Sequence, residues 1–154
     1  MVRWLSDDEQ TTWQAFIRLR QRVDAAVAAG LAGDGLSSAD YEILVPLSAA
    51  PGGCLRAKEL GAEICWEKSR LSKHLARMAA RGLVERRPAK EDARGILVEL
   101  TAAGRAALED AAPNHVDLVR RLFIDVMTPA EARALRSLAD KVVAEAEGGT
   151  DVST

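Results

Sequence analysis

At 154 residues, with a formal net charge of −2, 48% hydrophobic and 29% charged residues, the chain has the composition of one globular, helix-favouring unit rather than of a disordered or fibrous protein. It has no apolar run of about 18 residues to span a bilayer and no signal-peptide core after Met1, so a cytoplasmic protein with no membrane partner is expected. Two cysteines, two distant histidines and no CxxC or HxxxH spacing argue against a metal site; no phosphate-cradling glycine loop or nucleophile–base pair suggests a cofactor or an enzyme.

Ser6 and Glu9 form a capping-box signature for a first helix, which runs to about Ala29 with Gly30 as its stop. Trp13, Phe16 and Ile17 supply its apolar side. A Gly33-Asp34-Gly35 loop leads to a second helix that begins at Ser37 or Ser38 and passes through Tyr41, Ile43 and Leu44. Pro46 should bend that helix or end it early. Ala50-Pro51-Gly52-Gly53 is a turn by composition, with Cys54 in the loop beyond it. Arg56 to Ile64 reads as a short third helix, poorly capped and weakened inside by Gly61.

The stretch from Trp66 to Leu100 carries most of the information. Leu71, Leu75 and Met78, at i, i+4 and i+7, form an apolar stripe along a helix that Gly82 ends. Ser69, Lys73 and Arg77 occupy the opposite side, with Arg70 and Ser72 on the flanks. Two strands follow, Leu83–Arg87 and Ile96–Leu100, around a polar tip from Lys90 to Arg94. A buried stripe backed by a basic, hydroxyl-bearing face suits a helix laid in a DNA major groove, and a basic hairpin beside it suits a wing on phosphates. Charge distribution agrees: residues 55–105 hold 12 Lys+Arg against 7 Asp+Glu, leaving 9 against 16 in the rest.

Thr101 opens a long helix reaching about Val126, with a kink or break at Pro113-Asn114. Thr128, Pro129 and Glu131 combine a cap, a first-turn proline and a capping-box glutamate for a last helix to about Glu145. A polar, flexible tail, residues 148–154, closes the chain. The order is α-α-α-α-β-β-α-α: mainly α with a small β-hairpin wing. The division is an N-terminal dimerisation helix and linker (1–36), a winged helix-turn-helix lobe (37–100) and C-terminal dimerisation helices (101–147). Helices at both ends that cannot close a large core alone are expected to pair across a dimer axis.

The segment WEKSRLSKHLARMAARGLVERR, then Asp92-Ala93-Arg94, then VELTAAGR, resembles the MarR-type transcriptional regulators, and the resemblance covers nearly the whole chain. It implies a homodimer of two winged lobes on a palindromic operator, a repressor or activator often released by a small ligand or oxidant. By position it places Ser69, Ser72, Lys73 and Arg77 on bases and phosphates. Arg94 would sit at the minor-groove tip of the wing, oriented by a salt bridge from Asp92. A guanidinium there is favoured by concentrated negative potential and by counterion release. Two positions depart from the family pattern. Cys65 replaces the usual glycine before the recognition helix, suggesting a reshaped turn, and Glu67 replaces the usual serine cap.

Other residues carry two readings each. Cys65 is a candidate redox trigger or simply a small buried residue. His74, near the edge of the stripe, is packed or phosphate-facing rather than a metal ligand. Trp13, Phe16, Tyr41 and His115 are candidates for a pocket binding a small aromatic effector, against the plainer reading of core aromatics. The competing function is a winged-helix module that binds an acidic protein through Lys73, Arg77 and Arg94 without binding DNA.

Overall fold

The computed structural model describes residues 1–90 and 92–148; the side chains of Asp92 and Ala93, and the expected flexible tail from residue 149 onward, lie outside that description. In order the elements are α1 (Asp7–Gly33), α2 (Ser38–Ala49), β1 (Cys54–Arg56), α3 (Ala57–Glu63), α4 (Lys68–Ala80), β2 (Val84–Ala89), β3 (Asp92–Leu100), α5 (Ala102–Val119) and α6 (Pro129–Gly148). The mainly helical, winged architecture is as expected, with one strand, β1, in addition. Among the described residues no helix is long and apolar enough to cross a membrane.

Residues 1–118 form one compact unit. Its α1 starts at the expected capping box, where the Ser6 N–H donates to Glu9 Oε2 at 2.7 Å and the Glu9 N–H to Ser6 Oγ at 3.3 Å. Gly30 does not stop it. The helix continues to Gly33, and a Cβ on Gly30 would stand 3.0 Å from the Leu118 side chain, so glycine there serves the close approach of α5. Ser37 caps α2 and exchanges hydrogen bonds with Asp40. Pro46 neither ends nor shortens this helix, which runs one further turn to Ala49. A 3₁₀ turn, Pro51–Gly53, then delivers Cys54 into β1 instead of a loop.

The sheet order is β1-β3-β2, all antiparallel, with Leu55 opposite Val98 and Arg86 also opposite Val98 from the other side. β1 is only three residues long, too short to show a period of two in the sequence. Gly61 explains itself in the fold: a Cβ there would meet the Trp66 carbonyl oxygen at 3.2 Å and Leu71 at 3.4 Å, so the glycine lets α3 lie against the turn into α4. The core joins Leu31 of α1, Ile43, Leu44 and Leu47 of α2, Leu60 of α3, Leu71, Leu75 and Met78 of α4, and Val84 and Val98 of the sheet. The helix-turn-helix and wing thus share one apolar centre.

Thr101 ties wing to α5. Its hydroxyl donates to the Gly82 carbonyl at 2.6 Å and accepts the Gly104 N–H at 2.9 Å. Gly104 is buried against the Leu83 carbonyl, with no room for a side chain. The α-helix α5 runs through Pro113 without the break that was one of the two expectations there, and gives way to a π-helical turn only at Arg120–Ile124.

The second unit begins at Val119. Within it, the Thr128–Glu131 capping box starts α6 as expected, with the Thr128 N–H on Glu131 Oε2 at 2.8 Å. This contact and a second hydrogen bond from the Thr128 hydroxyl hold the Glu131 carboxyl below its ordinary pKa. Leu135, Leu138, Val142 and Val143 of α6 are all exposed.

Candidate nucleic-acid interface

The helix α4 has the sidedness its sequence implies. Leu71, Leu75 and Met78 are buried, whereas Ser69, Arg70, Ser72, Lys73 and Arg77 are exposed together. Gly82 at φ 75 terminates it, and Glu67 caps it without a side-chain hydrogen bond, in keeping with glutamate's poor fit to that role.

Two expectations for Cys65, a reshaped turn and a buried side chain, are not met. The turn before α4 is not reshaped: Cys65 itself takes φ 56, the conformation that suits glycine, at a cost of about 1–2 kcal/mol for an L-residue. Nor is it a small buried residue. It is exposed and free, and Cys54 is also free, in β1. The turn holds because the Trp66 N–H reaches the Gly61 carbonyl at 2.9 Å and Trp66 is sunk to 9% exposure.

Trp66 organises the start of α4, a role the sequence reading did not assign it. Its indole N–H donates to Glu42 Oε2 at 3.0 Å, fastening α4 to α2. The Arg70 guanidinium lies over its ring, 3.7 Å from the centroid. A guanidinium stacked in this way keeps its N–H groups at the edge of the stack, where phosphate oxygens bind.

A second anchor, also unassigned from the sequence, is Asp40. Its side chain is 1% exposed and accepts from the Ser37 N–H at 2.9 Å, from Arg81 Nη1 at 2.7 Å and from His74 Nε2 at 2.9 Å. Burial alone would raise its pKa. The Ser37 N–H, the Arg81 and His74 hydrogen bonds and the Arg81 charge together outweigh that, and the carboxyl is held below its ordinary value. Arg81 also donates to the Gly35 carbonyl at 2.9 Å, so both ends of α4 are fastened to the segment that carries α2. The pattern Ser37-x-x-Asp40 was the available signal, but it pointed to a cap and not to a buried ion pair.

Across from α4, β2 and β3 form the wing, with Arg87 paired to Glu99 at 2.7 Å. Arg94 is exposed on β3. The expected Asp92–Arg94 pair falls on a side chain outside the described residues. A cleft of about 430 Å³ separates wing from helices; Leu71, Leu75 and Ile96 are among its apolar walls, and Lys58, Lys68, Ser72, Arg86 and Arg94 bring polar and cationic groups to it. A concave surface edged by cations, next to an exposed basic helix face, matches an anionic backbone in shape and charge.

The candidate effector residues separate into two pairs. Tyr41 and His115 stack, with centroids 4.4 Å apart, and His115 Nδ1 is buried with no hydrogen-bond partner among the described residues. Burial raises the Tyr41 pKa. Tyr41 also lines a cavity of about 380 Å³ with Asp24, Val27, Leu31, Ser38 and Glu42. Trp13 and Phe16 pack on each other with centroids 5.5 Å apart, both exposed, roughly 12–16 Å along α1 from Asp24 by helical rise, and do not line this cavity. Among the described residues no three His, Cys, Asp or Glu side chains gather as a metal-ligand set.

Comparison with known proteins agrees with this geometry. The model of the MarR family matches residues 34–95. AbsC, a MarR family transcriptional regulator from Streptomyces coelicolor, is 34% identical, with 96% of this chain and 99% of that one covered and a TM-score of 0.91. Sco3205, a MarR family transcriptional regulator from the same organism whose crystal structure is a complex with DNA, is 33% identical, covering 95% of this chain and 91% of that one at a TM-score of 0.89. The transcriptional repressor YetL of Bacillus subtilis (strain 168) is 38% identical over 84 residues, 54% of this chain; the match spans half the length of that relative.

Proposed function

We propose that this chain, which belongs to the MarR family of transcriptional regulators, is a repressor that binds a palindromic DNA site as a homodimer. In this reading residues 37–100 are the DNA-reading lobe. Helix α4 enters the major groove with Ser69, Arg70, Ser72, Lys73 and Arg77, and the wing sets Arg94 in the flanking minor groove. Residues 1–36 and 101–147 supply the dimer contacts. The observation that carries the reading is the exposed basic and hydroxyl face of α4, rigidly backed by Trp66 and Asp40 and flanked by the cationic cleft of the wing. The DNA complex of Sco3205, at 33% identity, supports it.

The exposed apolar residues of α6, and separately Trp13, Phe16 and Leu19 of α1, support the homodimer, since a monomer would leave each of these groups in water. The cavity beside Tyr41 supports release by a small aromatic ligand, with Tyr41 and His115 as the responding pair. Release by an oxidant would act at the exposed thiol of Cys65. Either trigger needs to change the spacing between the two lobes, so that they no longer match half-sites about one helical turn, 34–36 Å, apart.

The test is fluorescence anisotropy with duplex DNA from the chain's own upstream region against a scrambled duplex, across a salt series. Tight binding to the first, weaker binding to the second and a steep salt dependence are expected. Equal, feeble binding to both by folded dimer would refute the reading and leave a protein partner as the target of this face.

A further inference from the structure

His74 lies on the buried side of α4, 8% exposed, in the same stripe as Leu71, Leu75 and Met78, yet both of its ring nitrogens are used. Nε2 is 2.9 Å from Asp40 Oδ1, and Nδ1 is 2.9 Å from Arg77 Nη2. A guanidinium has donors only, so Arg77 donates and Nδ1 must accept. The Asp40 carboxylate, which already accepts from Arg81 and Ser37, accepts from Nε2–H. The partners therefore select one form of the ring: neutral, with its proton on Nε2. The Trp66 ring packs beside it in a T-shaped contact, with centroids 5.8 Å apart.

We propose that His74 is a positioning residue for DNA recognition: anchored on Asp40, it holds the Arg77 guanidinium in the orientation from which its remaining N–H groups meet the DNA. Arginine has a long side chain that loses rotamer freedom on binding, and holding it beforehand removes part of that cost. The path is continuous from the buried carboxylate to the exposed face, and each link has one donor and one acceptor. A protonated ring would set a second N–H against the guanidinium and break the last link. This inference rests on the DNA-binding reading above and adds a role for a residue that does not itself touch DNA.

The experiment compares the full-length wild type with His74→Leu, His74→Gln, Arg77→Ala and the double variant His74→Leu/Arg77→Ala, each checked for fold by circular dichroism. Anisotropy is read with the upstream duplex and with its scrambled counterpart. Arg77→Ala is expected to weaken binding about tenfold and His74→Leu about fivefold, with the double variant no weaker than Arg77→Ala alone. In His74→Gln the amide can both donate to Asp40 and accept from Arg77, so binding stays within about twofold of wild type. Additive losses in the double variant, or a His74→Gln as weak as His74→Leu, would overturn the positioning role while leaving DNA binding in place. A wild type that binds neither duplex would overturn the DNA reading and this inference with it. Should His74→Leu not fold, nitrogen NMR of the imidazole decides. A proton on Nε2, with an Nδ1 signal that moves in Arg77→Ala, supports the role; a proton on Nδ1 overturns it.

Discussion

Replacing Asp40 by alanine tests whether one buried carboxylate fastens the recognition helix. Three donors lose their acceptor. The Ser37 N–H forfeits its reciprocal cap, about 1 kcal/mol. The His74 Nε2–H, on a side chain 10% exposed, is left unpaired in the interior at about 1–3 kcal/mol. Arg81 is 45% exposed and turns to water, so its share after solvent screening is only about 0–1 kcal/mol. The total, about 2–5 kcal/mol, overlaps the usual range of about 3–5 kcal/mol for breaking a buried pair from one side. For a chain of this size the melting temperature should fall by about 4–20 °C.

The pH dependence supplies an independent check. Because the folded-state pKa of Asp40 is depressed, its contribution is fully present above the ordinary carboxylate value of about 4 and is lost as pH falls through the folded value. Urea unfolding of wild type and Asp40→Ala, at neutral pH and in steps below pH of about 4, should show a constant gap that closes only at the acid end. A loss under about 1 kcal/mol at neutral pH, or a gap that widens on acidification, would refute this account of the site.

Cys65→Gly should stabilise the protein by about 1 kcal/mol, raising its melting temperature by about 2–4 °C, because glycine takes φ 56 without the Cβ clash; a lower melting temperature would show that the turn needs the side chain. Gly104→Ala should cost about 1–3 kcal/mol in urea melts, since its methyl group would overlap the Leu83 carbonyl and stand 2.8 Å from Leu100 Cδ1; a neutral result would mean that α5 shifts freely against the wing. Arg94→Ala and Lys73→Ala should each weaken DNA binding and lower the slope of log affinity against log salt by about 1, read by anisotropy; an unchanged slope would remove that residue from the phosphate contacts. Arg70→Lys should weaken binding although charge is kept, because lysine lacks the flat cation that stacks on Trp66; equal affinity would leave the stacking without a role in recognition.

Local chemistry was legible from the chain alone wherever neighbours in sequence are the partners in space. The boxes Ser6–Glu9 and Thr128–Glu131 form as read, because a cap satisfies N–H groups only three residues away. The apolar stripe of α4, its stop at Gly82 and the two strands of the wing were readable for the same reason: helical and strand periods are local. The exposed residues Ser69, Arg70, Ser72, Lys73 and Arg77 followed from that periodicity, as did the kinship with the MarR family from the motif that carries them.

Tertiary structure decided what depends on residues distant in the chain. Gly30 and Gly61 looked like a stop and a weak point, yet each is glycine because another segment comes within a few ångströms of it. Pro46 and Pro113 looked like interruptions, yet α2 and α5 run through them; packing against the core can outweigh the hydrogen bond each proline removes. β1 exists only because β3 offers it a partner. The Asp40–His74–Arg77 chain spans 34 residues between its first two members, and no periodicity encodes such a contact. Short-range propensity wrote the helices and the face they show, while burial chose which polar groups had to find each other inside.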